Sequence, residues 1–302
     1  MRILIIGGTG LVGGHAALRL KSEGHQVVIA GRNAPPSTVP DLSGLDFIQG
    51  DFAAGGFDAA TLAGFDAIVF AAGSDIRHVP AGRDPDEHFL HTNGTVVPEF
   101  ARLAKSAGVQ HFIHIGSFYP HIAPELVESV PYVRSRKLAA DGVIALSSGT
   151  FRACSLDAPF VVGFVSGMQS PMFEAYIKYA KGELPIPPFA PMGGTNFIST
   201  QAISTAISVA LANSLGGKAL VLGEENFSFK EYFEMFFRAV GNETDLPVLD
   251  QDHPLMPRAT LYTGTRMVSY EDPEDVEAAL GQYNQNSIYR TIQDIVQNHA
   301  RA

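Results

Sequence analysis

Short apolar runs alternate with amphipathic stretches through the first half of the chain. The run Ile3–Ile6 predicts a buried strand, and the following stretch Gly14–Glu23 predicts a helix ended by Gly24. Strands separated by helices in this way predict an α/β fold with a doubly wound parallel sheet and right-handed crossovers. The remaining predicted strands are Gln26–Ala30, Asp46–Gln49, Ala67–Ala71, His111–Ile115 and Phe151–Leu156, and the remaining predicted helices are Val96–Ala107 and Lys137–Leu146.

The pattern loosens beyond about residue 157. The segment Leu184–Pro191 contains four prolines, which remove ladder donors, so it predicts a loop rather than a helix or a central strand. Helices are predicted over Ala202–Asn213 and over Phe229–Val240, and a strand over Ala219–Leu222. We therefore expect residues 157–302 to form mainly a smaller lobe, with a strand near residues 218–223 completing the sheet of residues 1–156.

Composition narrows the class of protein. The chain has 302 residues, of which 46% are hydrophobic and 17% charged, so it can bury a sizeable core and is not disordered. Its formal charge of -10 argues against nucleic-acid and anionic-membrane partners, which demand basic patches.

The single cysteine and the start of the chain bear on its location. Cys154 cannot form an internal disulfide, and its apolar surroundings predict a buried structural thiol. No apolar run approaches the ~20 residues that span a bilayer. Because the first predicted strand starts at Met1, we expect no signal peptide and a cytoplasmic globular protein.

A glycine-rich turn follows the first predicted strand, in the sequence Gly7-Gly-Thr-Gly-Leu-Val-Gly13. A strand that runs through glycines at this spacing into a helix is typical of a pyrophosphate site. Gly7 permits the tight turn, Gly10 the close approach of the backbone, and Gly13 the packing of the helix on the strand. We therefore interpret residues 1–156 as a dinucleotide-binding (Rossmann) domain. Its predicted cofactor loop comprises Gly7, Thr9, Gly10, Leu11, Val12 and Gly13.

The ends of the later strands refine the cofactor. Folds selective for NAD usually place an acidic residue after the second strand, whereas this chain has Arg32. A guanidinium can donate two parallel hydrogen bonds to a 2'-phosphate, so NADP is favoured over NAD. The alternative is that Arg32 is a solvent-exposed loop residue that binds no ligand. Asp51 could accept a hydrogen bond from the adenine amino group or simply cap a turn. The small residues Ala71, Ala72 and Gly73 would let a flat cofactor lie against the backbone.

Together these segments resemble the short-chain dehydrogenase/reductase superfamily, particularly its extended branch of epimerases, dehydratases and dihydroflavonol-type reductases. The resemblance covers most of the chain and includes Gly50-Asp51, Asn93-Gly94-Thr95 and Ala158–Gly163. It also includes Asn196–Ser199 and Gly223–Ser228, which resemble the family's later strand and helix-start patterns. It implies that Pro159 lies beside the nicotinamide.

The resemblance also implies a catalytic set of a serine or threonine, a tyrosine, and a lysine four residues after the tyrosine. The candidates here are Ser117 and Tyr132, with Tyr119 as an outside candidate for the proton donor. The residue four beyond Tyr132 is Arg136, and the lysine comes one later, at Lys137. Residues four apart share a helix face, whereas residues five apart are rotated by ~140°. If the helix runs regularly from Tyr132, Arg136 takes the lysine's place; if Tyr132 precedes the first turn, Lys137 can take it.

We expect an NADP(H)-dependent oxidoreductase acting on a small carbonyl or hydroxyl substrate. Two alternatives remain: an epimerase or dehydratase, and a non-catalytic NADP-binding sensor or regulator, which the displaced lysine motivates. A nucleotide-sugar substrate is weakly disfavoured because residues 157–257 are poor in arginine. We expect no metal site, because the histidines lack a partnering carboxylate in a fixed pattern, although His88, His91 and His121 could line the cleft. The aromatic face of Phe229–Val240 predicts packing between the lobes, with a homodimer interface as the alternative.

Overall fold

The computed structural model describes residues 1–300 and shows twelve strands. The strands that build the main sheet are β1 (Arg2–Ile6), β2 (Gln26–Gly31), β3 (Asp46–Gln49), β4 (Ala67–Phe70), β5 (His111–Ser117), β6 (Arg152–Ala158) and β10 (Ala219–Val221). The others are β7 (Phe160–Val162), β8 (Ala190–Pro191), β9 (Gly194–Ser199), β11 (Glu225–Ser228) and β12 (Val248–Leu249).

Thirteen α-helices connect and cover these strands. They are α1 (Leu11–Ser22), α2 (Pro40–Ser43), α3 (Ala59–Leu62), α4 (Pro85–Phe89), α5 (Val97–Ser106), α6 (Tyr119–Ile122), α7 (Leu126–Ser129), α8 (Pro131–Ile144), α9 (Pro171–Ala180), α10 (Thr200–Ala212), α11 (Phe229–Ala239), α12 (Glu274–Leu280) and α13 (Ile288–His299). A π-helical segment, Leu90–Val96, joins α4 to α5. Within residues 1–300, none of the helices is long and apolar enough to cross a membrane.

The main sheet has seven parallel strands in the order β10-β6-β5-β4-β1-β2-β3. Apolar side chains on its two faces pack into two clusters, one around Ile3 and Ile5 and the other around Leu4 and Phe70. The predicted α/β fold with a doubly wound parallel sheet is confirmed. The strand order reverses between β1 and β4, which is where open α/β sheets form their ligand crevice.

The C-terminal lobe packs around a three-stranded sheet, β11-β9-β7. Its core is aromatic: Tyr232 of α11 stacks on Phe197 of β9 with ring centroids 4.3 Å apart, and Tyr176 of α9 meets Tyr232 edge-on. Ser228 and Glu231 form a capping box that starts α11. The aromatic face of α11 is therefore buried within this lobe. Placing the domain boundary at residue 157 remains a prediction.

One element boundary differs from the sequence prediction in a way that matters for the site. Helix α8 begins at Pro131 rather than at Lys137. Proline at the first helical position is favoured because its φ is already helical and its missing N–H would have had no partner. The predicted start was therefore six residues too late, and Tyr132 lies inside the helix. Strand β9 contains Asn196–Ser199, a segment that the resemblance assigns to a later strand. The elements that were not predicted are the strands β7, β8, β11 and β12 and the helices α2, α3, α4, α6, α7, α9, α12 and α13.

A buried histidine gives this fold a pH-dependent stability. His253 is fully buried among the rings of Phe189, Tyr179 and Phe233, and burial lowers its pKa from 6.5 to about 4. Between those values the unfolded chain binds more protons than the folded one, so stability falls as the pH drops through that window. We expect His253 to contribute a loss of about 2 kcal/mol between pH 7 and pH 5.

Urea unfolding at the two pH values measures this loss. His253→Phe removes this titration and is expected to reduce the pH dependence, whereas replacing the exposed His91 by Gln should leave it unchanged. An unchanged slope in His253→Phe would contradict the assignment. His15, whose pKa burial also lowers to about 4, adds a dependence of the same sign to every variant.

Candidate active site

A cleft of about 1910 Å³ lies at the carboxyl edge of the main sheet, between the sheet and the C-terminal lobe. It collects most of the residues that the sequence singled out. Those that line it are Gly7, Thr9, Gly10, Leu11, Val12, Arg32, Asp51, Ala71, Ala72, Gly73, Ser117, Tyr132, Arg136 and Pro159. Gly13 and Lys137 do not line it.

The glycine-rich turn is built to leave room for a ligand. Gly7 has φ +80°, and a Cβ there would lie 2.9 Å from the Ala71 carbonyl oxygen. A Cβ at Gly13 would lie 2.3 Å from the Gly7 carbonyl oxygen, so this glycine lets α1 pack on the turn. Gly10 caps α1 without any side-chain acceptor, which leaves the amides of the first turn free to bind an anion. These residues fit the pyrophosphate of a dinucleotide.

The ends of β2 and β3 border the same part of the cleft. Arg32 follows β2 and is exposed, and the next acidic residue along the chain is Asp41. The Asp51 carboxylate accepts a hydrogen bond of 2.9 Å from the Ala53 amide and caps a short 3₁₀ turn, Phe52–Ala54. The turn interpretation of Asp51 therefore holds, and its contact with adenine remains a prediction.

Helix α8 brings Arg136, and not Lys137, to the cleft. Arg136 is 7% exposed, and its Nη2 donates a hydrogen bond of 2.8 Å to the Ile115 carbonyl oxygen. A Cβ at Gly73 would lie 2.5 Å from the Arg136 Nη1, so the missing side chain makes room for the guanidinium. Lys137 is exposed and pairs with Asp141 at 2.7 Å on the outer face of the helix. The arrangement follows from the start of α8 at Pro131, which places Tyr132 and Arg136 one turn apart.

Tyr132, in the first turn of α8, lies among aromatic rings. Tyr262, from the segment between β12 and α12, stacks on it with ring centroids 4.7 Å apart and an interplanar angle of 11°. Phe89 meets Tyr132 edge-on at 5.3 Å, and Tyr119 meets Tyr262 edge-on at 5.4 Å. Burial raises the pKa of Tyr132, and the positive charge of Arg136 partly opposes that rise. At neutral pH Tyr132 is therefore a protonated phenol.

The segment after β4 forms a polar wall of the cleft. Both carboxylate oxygens of Asp75 accept hydrogen bonds from Arg77. Burial opposes the ionisation of Asp75, but hydrogen bonds from His78 and Arg77 hold its pKa well below the usual range. Ser74 shares a 2.8 Å hydrogen bond with His88. The sequence analysis did not identify Asp75, Arg77 or Tyr262, because no spacing rule links these segments to α8.

A buried polar network supports the floor of the site. Asp157, which is fully buried at the end of β6, contacts His121 at 2.6 Å and accepts a hydrogen bond from Ser155. Ser155 in turn bonds His114 at 2.9 Å. A Cβ at Gly116 would collide with the Asp157 carboxylate, so this glycine lets the network reach the end of β5. His121 thus anchors α6 to the sheet, while His88 and His91 line the cleft.

Comparisons with known proteins agree with this geometry. A family model described as "NAD dependent epimerase/dehydratase family" matches residues 3–196. The comparison with curated protein sequences finds no match.

Solved structures share the fold over the full length of the chain. The protein gox2253 is 19% identical to this chain with a TM-score of 0.78, and the match covers 99% of this chain and 98% of gox2253. The enzyme WbmG of Bordetella bronchiseptica, in complex with NAD, is 20% identical with a TM-score of 0.74, and the match covers 100% of this chain and 94% of WbmG. The UDP-glucose-4-epimerase of Stenotrophomonas maltophila, with bound NAD and formylated UDP-arabinopyranose, is 19% identical with a TM-score of 0.74. The match covers 100% of this chain and 99% of the epimerase. The chain belongs to the NAD dependent epimerase/dehydratase family, a family of enzymes that depend on a nicotinamide cofactor.

Proposed function

We propose that this protein is an NADP(H)-dependent oxidoreductase of the extended short-chain type that acts on a small carbonyl or hydroxyl substrate. The observation that carries the proposal is the placement of Tyr132 and Arg136 on successive turns of α8, in the cleft that also contains the glycine-rich turn. A protonated phenol and a fixed cation beside a dinucleotide loop are the groups that carbonyl reduction requires.

In this proposal each group has a distinct task. The first-turn amides of α1 hold the pyrophosphate, and Arg32 holds the 2'-phosphate. The bound cofactor supplies the hydride. Tyr132 donates its phenolic proton to the reacting oxygen, and Ser117 donates a hydrogen bond to the same oxygen. Arg136 stabilises the tyrosinate by its permanent charge, but it cannot relay a proton as a lysine can.

Epimerisation or dehydration is the second candidate, and the matching family model favours it. The same Tyr132 and Arg136 would serve there, because such reactions remove a hydride and return it. Incubation with stoichiometric NADP⁺ and a hydroxyl substrate separates the two functions. Net accumulation of NADPH supports the oxidoreductase, whereas conversion of substrate without net reduction supports the epimerase or dehydratase.

The choice of cofactor is tested at Arg32. We expect Arg32→Ala to weaken NADPH binding about 10- to 100-fold, because it removes charge-assisted hydrogen bonds of about 1.5–3 kcal/mol. NADH binding is expected to change by no more than about twofold, since NADH lacks the 2'-phosphate. Fluorescence titration of both cofactors measures the two constants.

Arg83→Ala serves as the matched control, since Arg83 is an exposed arginine on the other side of the same cleft. It should leave the ratio of NADPH to NADH affinity unchanged. Equal affinity of the unmodified protein for the two cofactors, or an unaltered ratio in Arg32→Ala, would refute the preference for NADP.

A further inference from the structure

The wall of the cleft that the C-terminal lobe forms is mainly apolar, although it also includes polar side chains such as Thr195. Side chains on this wall that are half-buried, and so open to the cleft, include Phe160, Phe164, Met172 and Leu255. Behind them lie the fully packed rings of the lobe's aromatic core. Contact with such a surface favours ligands that shed apolar area from water.

Charge on this wall points in the same direction. Of the residues described from 157 onward, those that line the cleft include no lysine or arginine, and they include one carboxylate, Glu174. Three of the lobe's arginines contact other groups: Arg258 pairs with Asp250, Arg266 with Glu125, and Arg238 lies over the ring of Tyr289. A diphosphate would therefore meet no compensating cation on this side, and moving it out of water would be unfavourable.

The opposite wall carries more acidic than basic side chains. Across residues 74–91 two arginines, Arg77 and Arg83, stand against four acidic side chains. Arg77 already donates hydrogen bonds to both carboxylate oxygens of Asp75. Arg136 donates to the Ile115 carbonyl oxygen, and it is assigned to the cofactor side of the site.

We infer that the substrate is an uncharged, apolar carbonyl compound whose body rests on the Phe160–Phe164 side of the C-terminal lobe, rather than a nucleotide diphosphate sugar. This inference rests on the proposed function for the position of the reacting carbonyl. The stacked rings of Tyr132 and Tyr262 mark where the apolar surface meets the polar end of the cleft.

A homologous ketone series tests this assignment. The protein, saturated with NADP⁺ so that no turnover occurs, is titrated with 2-butanone, 2-pentanone, 2-hexanone and 2-heptanone by ligand-observed NMR. Affinity is expected to rise roughly three- to fourfold with each methylene that the wall buries. UDP-glucose, measured in the same way, is expected to bind at least tenfold more weakly than 2-heptanone.

Two half-buried phenylalanines provide a matched pair of variants. Both Phe164 and Phe227 pack against the edge of the same aromatic cluster, but only Phe164 lines the cleft. Phe164→Ala is expected to reduce the gain per methylene, whereas Phe227→Ala should preserve it. Thermal melting of both variants shows whether each is folded.

The outcomes separate this inference from the proposed function. Failure of NADP⁺ to bind overturns the proposed function, and the ketone titration is then read on the cofactor-free protein, whose wall is the same. UDP-glucose binding as tightly as 2-heptanone, or a ketone series with no dependence on length, overturns the apolar-substrate assignment even when NADP⁺ binds.

Discussion

Replacing Tyr132 by Phe is expected to lower kcat for ketone reduction by about 10²- to 10⁴-fold, the usual contribution of a positioned general acid. The ring would keep its stacking on Tyr262 and its edge contact with Phe89, so the shape of the cleft should be preserved. NADPH affinity is therefore expected to change by less than about twofold. Steady-state kinetics and a cofactor titration on the same preparation measure both effects.

Two neighbouring phenols provide the controls for this prediction. Tyr119 and Tyr262 also line the cleft. Burial raises the pKa of each of them, so both are protonated at neutral pH. Tyr119→Phe and Tyr262→Phe should retain kcat within about threefold. A large loss in either of these variants, with Tyr132→Phe still active, would move the proton donor to that residue.

Arg136→Ala is expected to lower kcat by roughly 10²-fold and to destabilise the protein by about 1–3 kcal/mol. The stability loss follows because the Ile115 carbonyl oxygen loses its buried donor. The rate loss follows because the guanidinium charge lowers the pKa of Tyr132 against the effect of burial. In the alcohol-oxidation direction, which needs the tyrosinate, the pH at half-maximal rate should therefore move upward. Arg136→Lys, which keeps a charge, is expected to recover part of the rate.

Lys137→Ala is the matched comparison, one position along the same helix. Lys137 is 46% exposed and pairs with Asp141 at the surface, where such a pair contributes only about 0–1 kcal/mol. We expect kcat to stay within about twofold and the pH profile to stay in place. A loss of activity in Lys137→Ala with Arg136→Ala unaffected would show that α8 starts later in solution than at Pro131.

Much of the fold could be predicted because its signals are local. The runs Ile3–Ile6 and Ala67–Ala71 became strands with nearly those bounds, since buried parallel strands are continuous apolar runs bounded by turn residues. The strands β7 and β12 were not predicted because each spans only two or three residues and pairs with a strand more than thirty residues away along the chain. Their extended backbone depends on tertiary packing, which residue patterns do not record.

The candidate site divides in the same way. The predicted residues of the glycine-rich turn other than Gly13, and those that follow β2 and β4, line the cleft, because strand ends of a parallel sheet meet at one edge. Tyr262 and Asp75 were not found, since they reach Tyr132 from segments far away along the chain.

The sequence by itself determined that this chain forms a doubly wound sheet with a dinucleotide turn at its first strand, because each of those features depends on neighbouring residues. It left open which basic residue, Arg136 or Lys137, lies in the cleft with Tyr132. The tertiary structure decided that it is Arg136: α8 starts at Pro131, and Gly73 leaves room for a guanidinium beside Ile115. That choice depends on helix phase and on space left by another strand, and both arise only when the elements pack together.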